Sequence, residues 1–205
     1  SGVFLYQPFL TAFNQLSAAE KTEILTYWKE FSFHYYGGPR APELQAIVQE
    51  AQNLGVRTSM LEWWDEADSH LRLHDDLKLG LSARQVGTLG GLGASPLGTM
   101  LTYIDATDIN NVKVIPNIKA SFFRQYFKYI RDGAVRIGTT TNNSAFDPIA
   151  FINKNGTYVV VIKTTKGGSF EVQGLPAGTY GIEYSLARMQ DQKVVGVIEA
   201  NKSMP

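Results

Sequence analysis

Gly55-Val56-Arg57-Thr58-Ser59-Met60-Leu61-Glu62-Trp63-Trp64-Asp65-Glu66-Ala67-Asp68-Ser69 is the stretch that decides the fold. A short apolar run that follows a glycine and ends in a polar, acidic segment has the length and borders of a β-strand. Helical spacing lies on both sides of it. Upstream, Leu44, Ile47, Val48 and Ala51 recur at helical intervals within 41–53, with Gly55 ending that helix. Downstream, a helical pattern runs from His70 to Val86. A strand held between two helices is one step of β-α alternation, which argues a parallel sheet or barrel.

The alternation extends in both directions. Val3-Phe4-Leu5-Tyr6 reads as a strand, and Ser17-Ala18-Ala19-Glu20 as a capping box opening a helix to about Glu30. Phe31-Ser32-Phe33-His34-Tyr35-Tyr36 is an aromatic strand stopped by Gly37-Gly38-Pro39. Thr99-Met100-Leu101-Thr102-Tyr103-Ile104 is a further strand. Pro116-Asn117 then opens a helix with Ile118, Phe122, Tyr126 and Ile130 on one face. Four βα units of this kind are half of an eightfold (β/α) barrel, which typically takes about 250 residues. The expected fold is therefore α/β, a partial barrel over 1–132.

After Arg131-Asp132-Gly133 the helical spacing stops. Short β-rich runs follow at 134–138, 148–153, 157–164, 169–173, 180–187 and 193–199, with Asn155-Gly156 and Lys166-Gly167-Gly168 as hairpin turns. A small antiparallel β-sandwich over 133–205 is the expectation, with the domain boundary near residue 132.

Composition bounds the chemistry. The 205 residues are 44% apolar and 19% charged, as in ordinary globular proteins. Nineteen basic and 19 acidic residues balance to zero, so no excess charge recruits nucleic acid or an anionic membrane. No apolar stretch approaches the roughly 20 residues that span a bilayer. Cysteine is absent, which removes disulfides, thiolate metal sites and cysteine nucleophiles. No signal peptide is visible, and Ser1-Gly2 reads as a trimmed or engineered start.

In barrels of this kind the chemistry sits at the C-terminal strand ends. His34, Tyr35, Tyr36, Glu62, Trp63 and Trp64 all fall there. A carboxylate followed by two indoles suits carbohydrates, because the carboxylate can attack or stabilise an anomeric centre while flat rings stack on the sugar's C–H face. His34, Tyr35 and Tyr36 can orient Glu62 and bind sugar hydroxyls, or pack the core. Tyr103 and Asp105, at the end of the last strand, are candidates for lining the sugar subsite. Asp65, Glu66 and Asp68 read as helix-dipole partners of the following helix, with a catalytic acid as the minor alternative. His70 and His74 have a metal-compatible spacing, but Leu71 and Arg72 stand where a zinc-protease glutamate would be, and a solvated helix face is the simpler reading. The glycines of 87–93 lack the Gly-Lys-Ser/Thr ending of a phosphate loop and read as a mobile loop near the site's mouth. Asn142, Asn155 and Asn201 each begin a glycosylation sequon, a triplet that arises often by chance.

Several passages resemble one family. Phe122-Phe123-Arg124-Gln125-Tyr126-Phe127-Lys128-Tyr129-Ile130-Arg131-Asp132-Gly133-Ala134-Val135-Arg136-Ile137-Gly138 resembles the passage from the last barrel helix to the β-domain in glycoside hydrolase family 30. Ile149-Ala150-Phe151, Asn155 to Val161 and Gly174 to Tyr180 continue the likeness. Ser32 to Tyr36 resembles the sixth barrel strand, Met60-Leu61-Glu62 the seventh, and Asp75-Asp76-Leu77 with Ser82 the helix after it.

The resemblance implies retaining hydrolysis of a β-linked glycan such as xylan, a β-glucan or a short β-glycoside, without metal or organic cofactor. It makes Glu62 the nucleophile and Trp63, Trp64, His34 and Tyr36 the main sugar contacts. The partner acid/base, about 5–5.5 Å away in retaining enzymes, belongs to the family's fourth strand, upstream of these residues. The expectation is an incomplete barrel, either a fragment or half of a split enzyme completed by an N-terminal half or second polypeptide, with little glycosidase activity alone. The substrate class favours secretion. The rival readings are a non-catalytic carbohydrate-binding protein using the same aromatics, and a structural subunit that completes a split barrel.

Overall fold

The computed structural model describes residues 5–36, 41–63, 69–85, 89–92, 101–190 and 193–204. The chain divides into two compact units, Ser1–Asp68 with Arg72–Leu89, and Ser69–Leu71 with Gly90–Pro205.

The first unit begins with α1 (Tyr6–Asn14) and α2 (Ala18–Tyr27), followed by β1 (Glu30–His34), α3 (Ala41–Leu54), β2 (Arg57–Glu62), α4 (His70–Leu79) and β3 (Ala83–Arg84). Its sheet has the order β1-β2-β3, and both pairings are parallel. The hydrogen bonds Gln85 N to Met60 O and Ser82 N to Thr58 O extend the β2–β3 pairing on either side. Parallel neighbours need crossovers, and α3 and α4 supply them. One face of the sheet is dry: Phe31 and Phe33 from β1, with Tyr35 just beyond it, pack with Met60 from β2 and Leu44, Ile47 and Val48 from α3. Glu30, Ser32 and His34 alternate with them and stay half-buried, the period of two expected of a strand.

Several sequence expectations change here. Tyr6 belongs to helix α1 rather than to a strand, while Val3 and Phe4 lie outside the described residues. The run 3–6 was too short for periodicity to separate strand from helix. The deciding pattern is the buried Leu10 and Phe13 one helical turn apart, with Pro8 in the first turn, where its missing N–H costs nothing. Phe9 and Phe13 of that helix pack edge-on against Trp28, and Phe9 against Phe31, with a tilted Trp28–Phe31 pair closing the group, centroids 5.1–5.6 Å apart.

The capping box of α2 is formed in both directions, Glu20 N to Ser17 Oγ and Ser17 N to Glu20 Oε2 at 2.8 Å. Helix α4 stops at Leu79 instead of reaching Val86. Gly80 adopts φ +106° and its N–H turns back to the carbonyls of Asp76 and Leu77. A β-carbon there would also come within 2.9 Å of Val48 Cγ1, so the position requires glycine on two counts. The chain then re-enters the sheet as β3, immediately after α4.

The second unit contains β4 (Gly90–Leu92), β5 (Thr102–Asp105), β6 (Lys113–Pro116), α5 (Ile118–Phe127), β7 (Val135–Ile137), β8 (Phe146–Ile152), β9 (Tyr158–Thr164), β10 (Tyr180–Gln190) and β11 (Lys193–Met204). The strand expected at 99–104 appears as β5, but its neighbours are β4, parallel, and β6, antiparallel. It does not extend the β1-β2-β3 sheet, whose third strand is β3. Part of the glycine-rich 87–93 segment is thus strand β4; residues 86–88 and 93–100 lie outside the described residues.

Helix α5 is capped by Asn117, whose Oδ1 accepts from Lys119 N, and it buries Phe123 and Tyr126. The apolar face is therefore turned from the expected Ile118-Phe122-Tyr126-Ile130 line. Strands β7-β8-β9 form an antiparallel meander. Its β8–β9 turn is the Asn155-Gly156 signal, with Gly156 at φ +81°. Asn153, almost fully buried, ties this hairpin to the end of α5. Its amide donates to Tyr129 O and Thr157 Oγ1, both at 3.0 Å, and accepts from Arg131 N at 3.0 Å. β10 and β11 form a long hairpin, and β10 lies on α5 through Glu183 and Ser185. Residues 169–173 have strand-like alternation but no strand, and no hydrogen-bonded neighbour pairs with them among the described residues.

Candidate functional site at the ends of the first two strands

The parallel register of β1 and β2 runs evenly from Glu30↔Arg57 to Phe33↔Met60, then slips so that His34 pairs with Glu62 and Leu61 is left over. A one-residue slip reverses which face a side chain occupies. Met60 faces the core beside Phe33, and a regular strand would carry Glu62 to the same face. The bulge instead sets Glu62 beside His34, on the wetter face. Bulges of this kind re-aim side chains next to sites.

Among the described residues, Tyr36 and His34 meet the Glu62 carboxylate. The Tyr36 hydroxyl donates to Oε1. His34 Nδ1 stands 4.0 Å from Oε2. His34 and Tyr36 also meet edge to face, with centroids 5.5 Å apart. The hydrogen bond to Glu62, reinforced by lost hydration and the carboxylate's charge, pushes the Tyr36 phenol up to about 12. The group is open to solvent: the side chain of Glu62 is 37% exposed and Tyr36 42%. A solvent-reachable carboxylate held by a phenol and flanked by an imidazole can attack or stabilise an electron-poor carbon.

The other residues singled out from the sequence go elsewhere. Tyr35 is 0% exposed, and its hydroxyl donates to Asp76 Oδ1 at 2.7 Å. Trp63 is 7% exposed and packs edge-on against Tyr35, centroids 5.5 Å apart. Both side chains therefore sit in the core. Alternation explains this: Tyr35 lies between His34 and Tyr36, and Trp63 follows Glu62. Trp64, Asp65, Glu66 and Asp68 lie outside the described residues. Tyr103 is a half-buried β5 residue of the second unit, between Gly91 and Ile115 in register. Asp105 caps its own turn, accepting from Thr107 N and Oγ1, which holds its carboxyl below the usual range.

The groups beneath this site were not among the candidate site residues, and Asp76 entered the sequence reading only through the family resemblance. Asp76 and the side chain of Arg84 are buried together, with Arg84 Nη1 at 2.5 Å from Asp76 Oδ2. The guanidinium carbon lies 5.9 Å from the ring centroids of both Tyr35 and Trp63. Loss of hydration raises the Asp76 carboxyl to about 6, against the opposing pull of Arg84, the Tyr35 hydroxyl and Arg72. The same burial, together with Asp76's charge, pushes the Tyr35 phenol far up. The available signal was an acid one turn from Leu73 on the apolar side of α4. His74 is also buried, which corrects the expectation of a solvated His70/His74 face. Among the described residues, no three histidine or acidic side chains stand together as a metal site.

Residues 133–173, from the turn after α5 through the β7-β8-β9 meander, match the glycosyl hydrolase family 30 beta sandwich domain. The C-terminal part of the chain is family 30-like. Among solved structures, the chain is similar to the catalytic domain of GH30 xylanase C from Talaromyces cellulolyticus (17% identity, TM-score 0.49, 88% of this chain and 44% of that one). It is also similar to SrfJ from Salmonella typhimurium (18% identity, TM-score 0.46, 85% and 38%). The chain thus spans less than half the length of either. No curated protein matches it.

Proposed function

We propose that this chain is part of a retaining glycoside hydrolase acting on a β-linked glycan, with Glu62 as its nucleophile. Residues 1–132 then form the second half of a (β/α) barrel and 133–205 its β-sandwich. The observation that carries this reading is the carboxylate at the C-terminal end of parallel strand β2, re-aimed by the bulge to meet Tyr36 from the end of β1. The family 30-like β-sandwich supports the glycosidase class.

In this mechanism a Glu62 oxygen bonds to the anomeric carbon as the glycosidic C–O bond breaks, and water later releases the sugar. Tyr36 orients the carboxylate through its hydrogen bond, and His34 offers a second polar group beside it. The general acid comes from another strand of the complete barrel, so the 205 residues alone turn natural glycans over poorly. Secretion fits a polysaccharide substrate.

A fluorinated β-glycoside with a dinitrophenyl leaving group tests the assignment without the missing acid. Dinitrophenolate departs unprotonated, and the fluorine beside the anomeric carbon slows hydrolysis of the adduct. The β-xyloside or β-glucoside should add one sugar mass to the Glu62 peptide, and none in Glu62→Gln. Sugar binding without an adduct would favour the carbohydrate-binding alternative. An inert chain that co-purifies with a second polypeptide would favour the structural-subunit reading.

A further inference from the structure

The side chains at the tips of β1 and β2 sort into two sets by face. Glu62, Tyr36 and His34 share the open face, whereas Tyr35 and Trp63 point into the core. The geometry points to Asp76 and Arg84 as positioning residues for Glu62, acting through Tyr35 and Trp63. This deepens the proposed function, since it rests on Glu62 being the reactive carboxylate.

Tyr35 is the residue between His34 and Tyr36, and its backbone N–H donates to Glu62 O at 3.3 Å. Its hydroxyl is fastened to Asp76 Oδ1 at 2.7 Å. Trp63 directly follows Glu62, and its ring packs against both Tyr35 and the Arg84 guanidinium, which also touch each other. Arg84 in turn grips the second oxygen of Asp76. One buried carboxylate therefore fixes both strand ends at once. Because successive strand side chains point to opposite faces, holding Tyr35 inward fixes the outward course of His34 and Tyr36, and holding Trp63 inward does the same for Glu62.

Net stability is a weak reason to bury such a pair. Taking two charges out of water costs about as much as their attraction returns, and apolar residues of the same volume often do as well. What the pair adds is direction, because an Arg–carboxylate contact and a tyrosine hydrogen bond are specific in angle. Among the described residues, the charged and titratable groups that act on Asp76 are Arg84, Tyr35, Arg72 and Asp75.

The Tyr36 phenol is the reporter, since Glu62 is what holds its proton. Tyrosine Cζ carbon-13 resonances of the full chain are followed with pH, and Tyr36 is assigned with Tyr36→Phe. In Asp76→Asn one acceptor oxygen must serve two donors, so Tyr35 or Arg84 loses its anchor. The Tyr36 midpoint should then fall from about 12 towards the ordinary phenol value of about 10. Tyr35→Phe removes the hydroxyl and keeps the ring, and should move the midpoint the same way by less. Phe13→Leu, a core change in α1, should lower stability and leave the midpoint alone. An unmoved midpoint in folded Asp76→Asn and Tyr35→Phe overturns the assignment. If Asp76→Asn does not fold, Tyr35→Phe alone decides. No sugar is present, so the outcome does not depend on whether Glu62 forms a glycosyl-enzyme.

Discussion

The parallel sheet β1-β2-β3 and the antiparallel meander β7-β8-β9 are built from similar strands by opposite means. In the meander, β8 and β9 are joined by a five-residue turn whose Asn-Gly signal and positive-φ glycine are local. Register there follows from the turn. In the parallel sheet each neighbour is reached through a helix, and the contacts that matter are distant. Tyr35 meets Asp76 41 residues away and Tyr36 meets Glu62 26 residues away. The lesson is that the meander is specified by its turn, whereas the candidate site is specified by what is buried beneath it.

The largest expected effect tests the second half of that statement. Asp76→Ala leaves the Arg84 charge buried without its carboxylate and should destabilise the first unit by about 3–5 kcal/mol. Amide exchange should show protection lost at β1 and β2 and kept at β8 and β9. Equal loss in both sheets would break the comparison.

The pH dependence sharpens it. Burial raises Asp76 in the folded chain to about 6 from the ordinary aspartate value of 3.8. The folded state therefore holds the extra proton between those values. Its contribution to stability is full below the unfolded pKa and is lost as pH rises through about 6. Urea midpoints of the parent should thus lose ground against Asp76→Asn between about pH 4 and pH 7. The reverse slope would mean that Arg84 outweighs burial.

The meander has its own buried polar residue. Asn153→Ala strands Arg131 N, Tyr129 O and Thr157 Oγ1 and should cost about 1–3 kcal/mol, with exchange accelerating at β8 and β9. Gly156→Ala puts a side chain at φ +81° with open space around it. Only backbone strain is charged, about 1–2 kcal/mol, and the register should survive by nuclear Overhauser contacts between Ile149 and Val161. Ser17→Ala removes an exposed capping box and sets the scale for a purely local device, about 1 kcal/mol. A calorimetric loss larger than that of Asn153→Ala would upset the ranking.

Much of the fold was legible because its causes are short-range. The capping box at Ser17 and Glu20, the end of α3 at Gly55, the cap of α5 at Asn117 and the turn at Gly156 each depend on a few neighbouring residues. The errors came where a local pattern was ambiguous or incomplete. The run at 3–6 is too short to type, and the helical spacing of α4 continues past Gly80, a glycine that the close approach of Val48 makes obligatory. The 169–173 run alternates as a strand does, yet a strand exists only through a partner.

By itself the sequence determined that Glu62 ends a strand and that His34 and Tyr36 stand at the end of the one before it. Only the tertiary structure decided which of the five described strand-end residues, His34, Tyr35, Tyr36, Glu62 and Trp63, face the solvent. That choice turns on a single slipped residue at Leu61 and on the buried pair Asp76–Arg84. A bulge leaves no mark in composition or periodicity, and a buried ion pair is defined by two residues meeting in space. Side-chain direction at a strand end is therefore a property of packing, and the chemistry of the site follows from it.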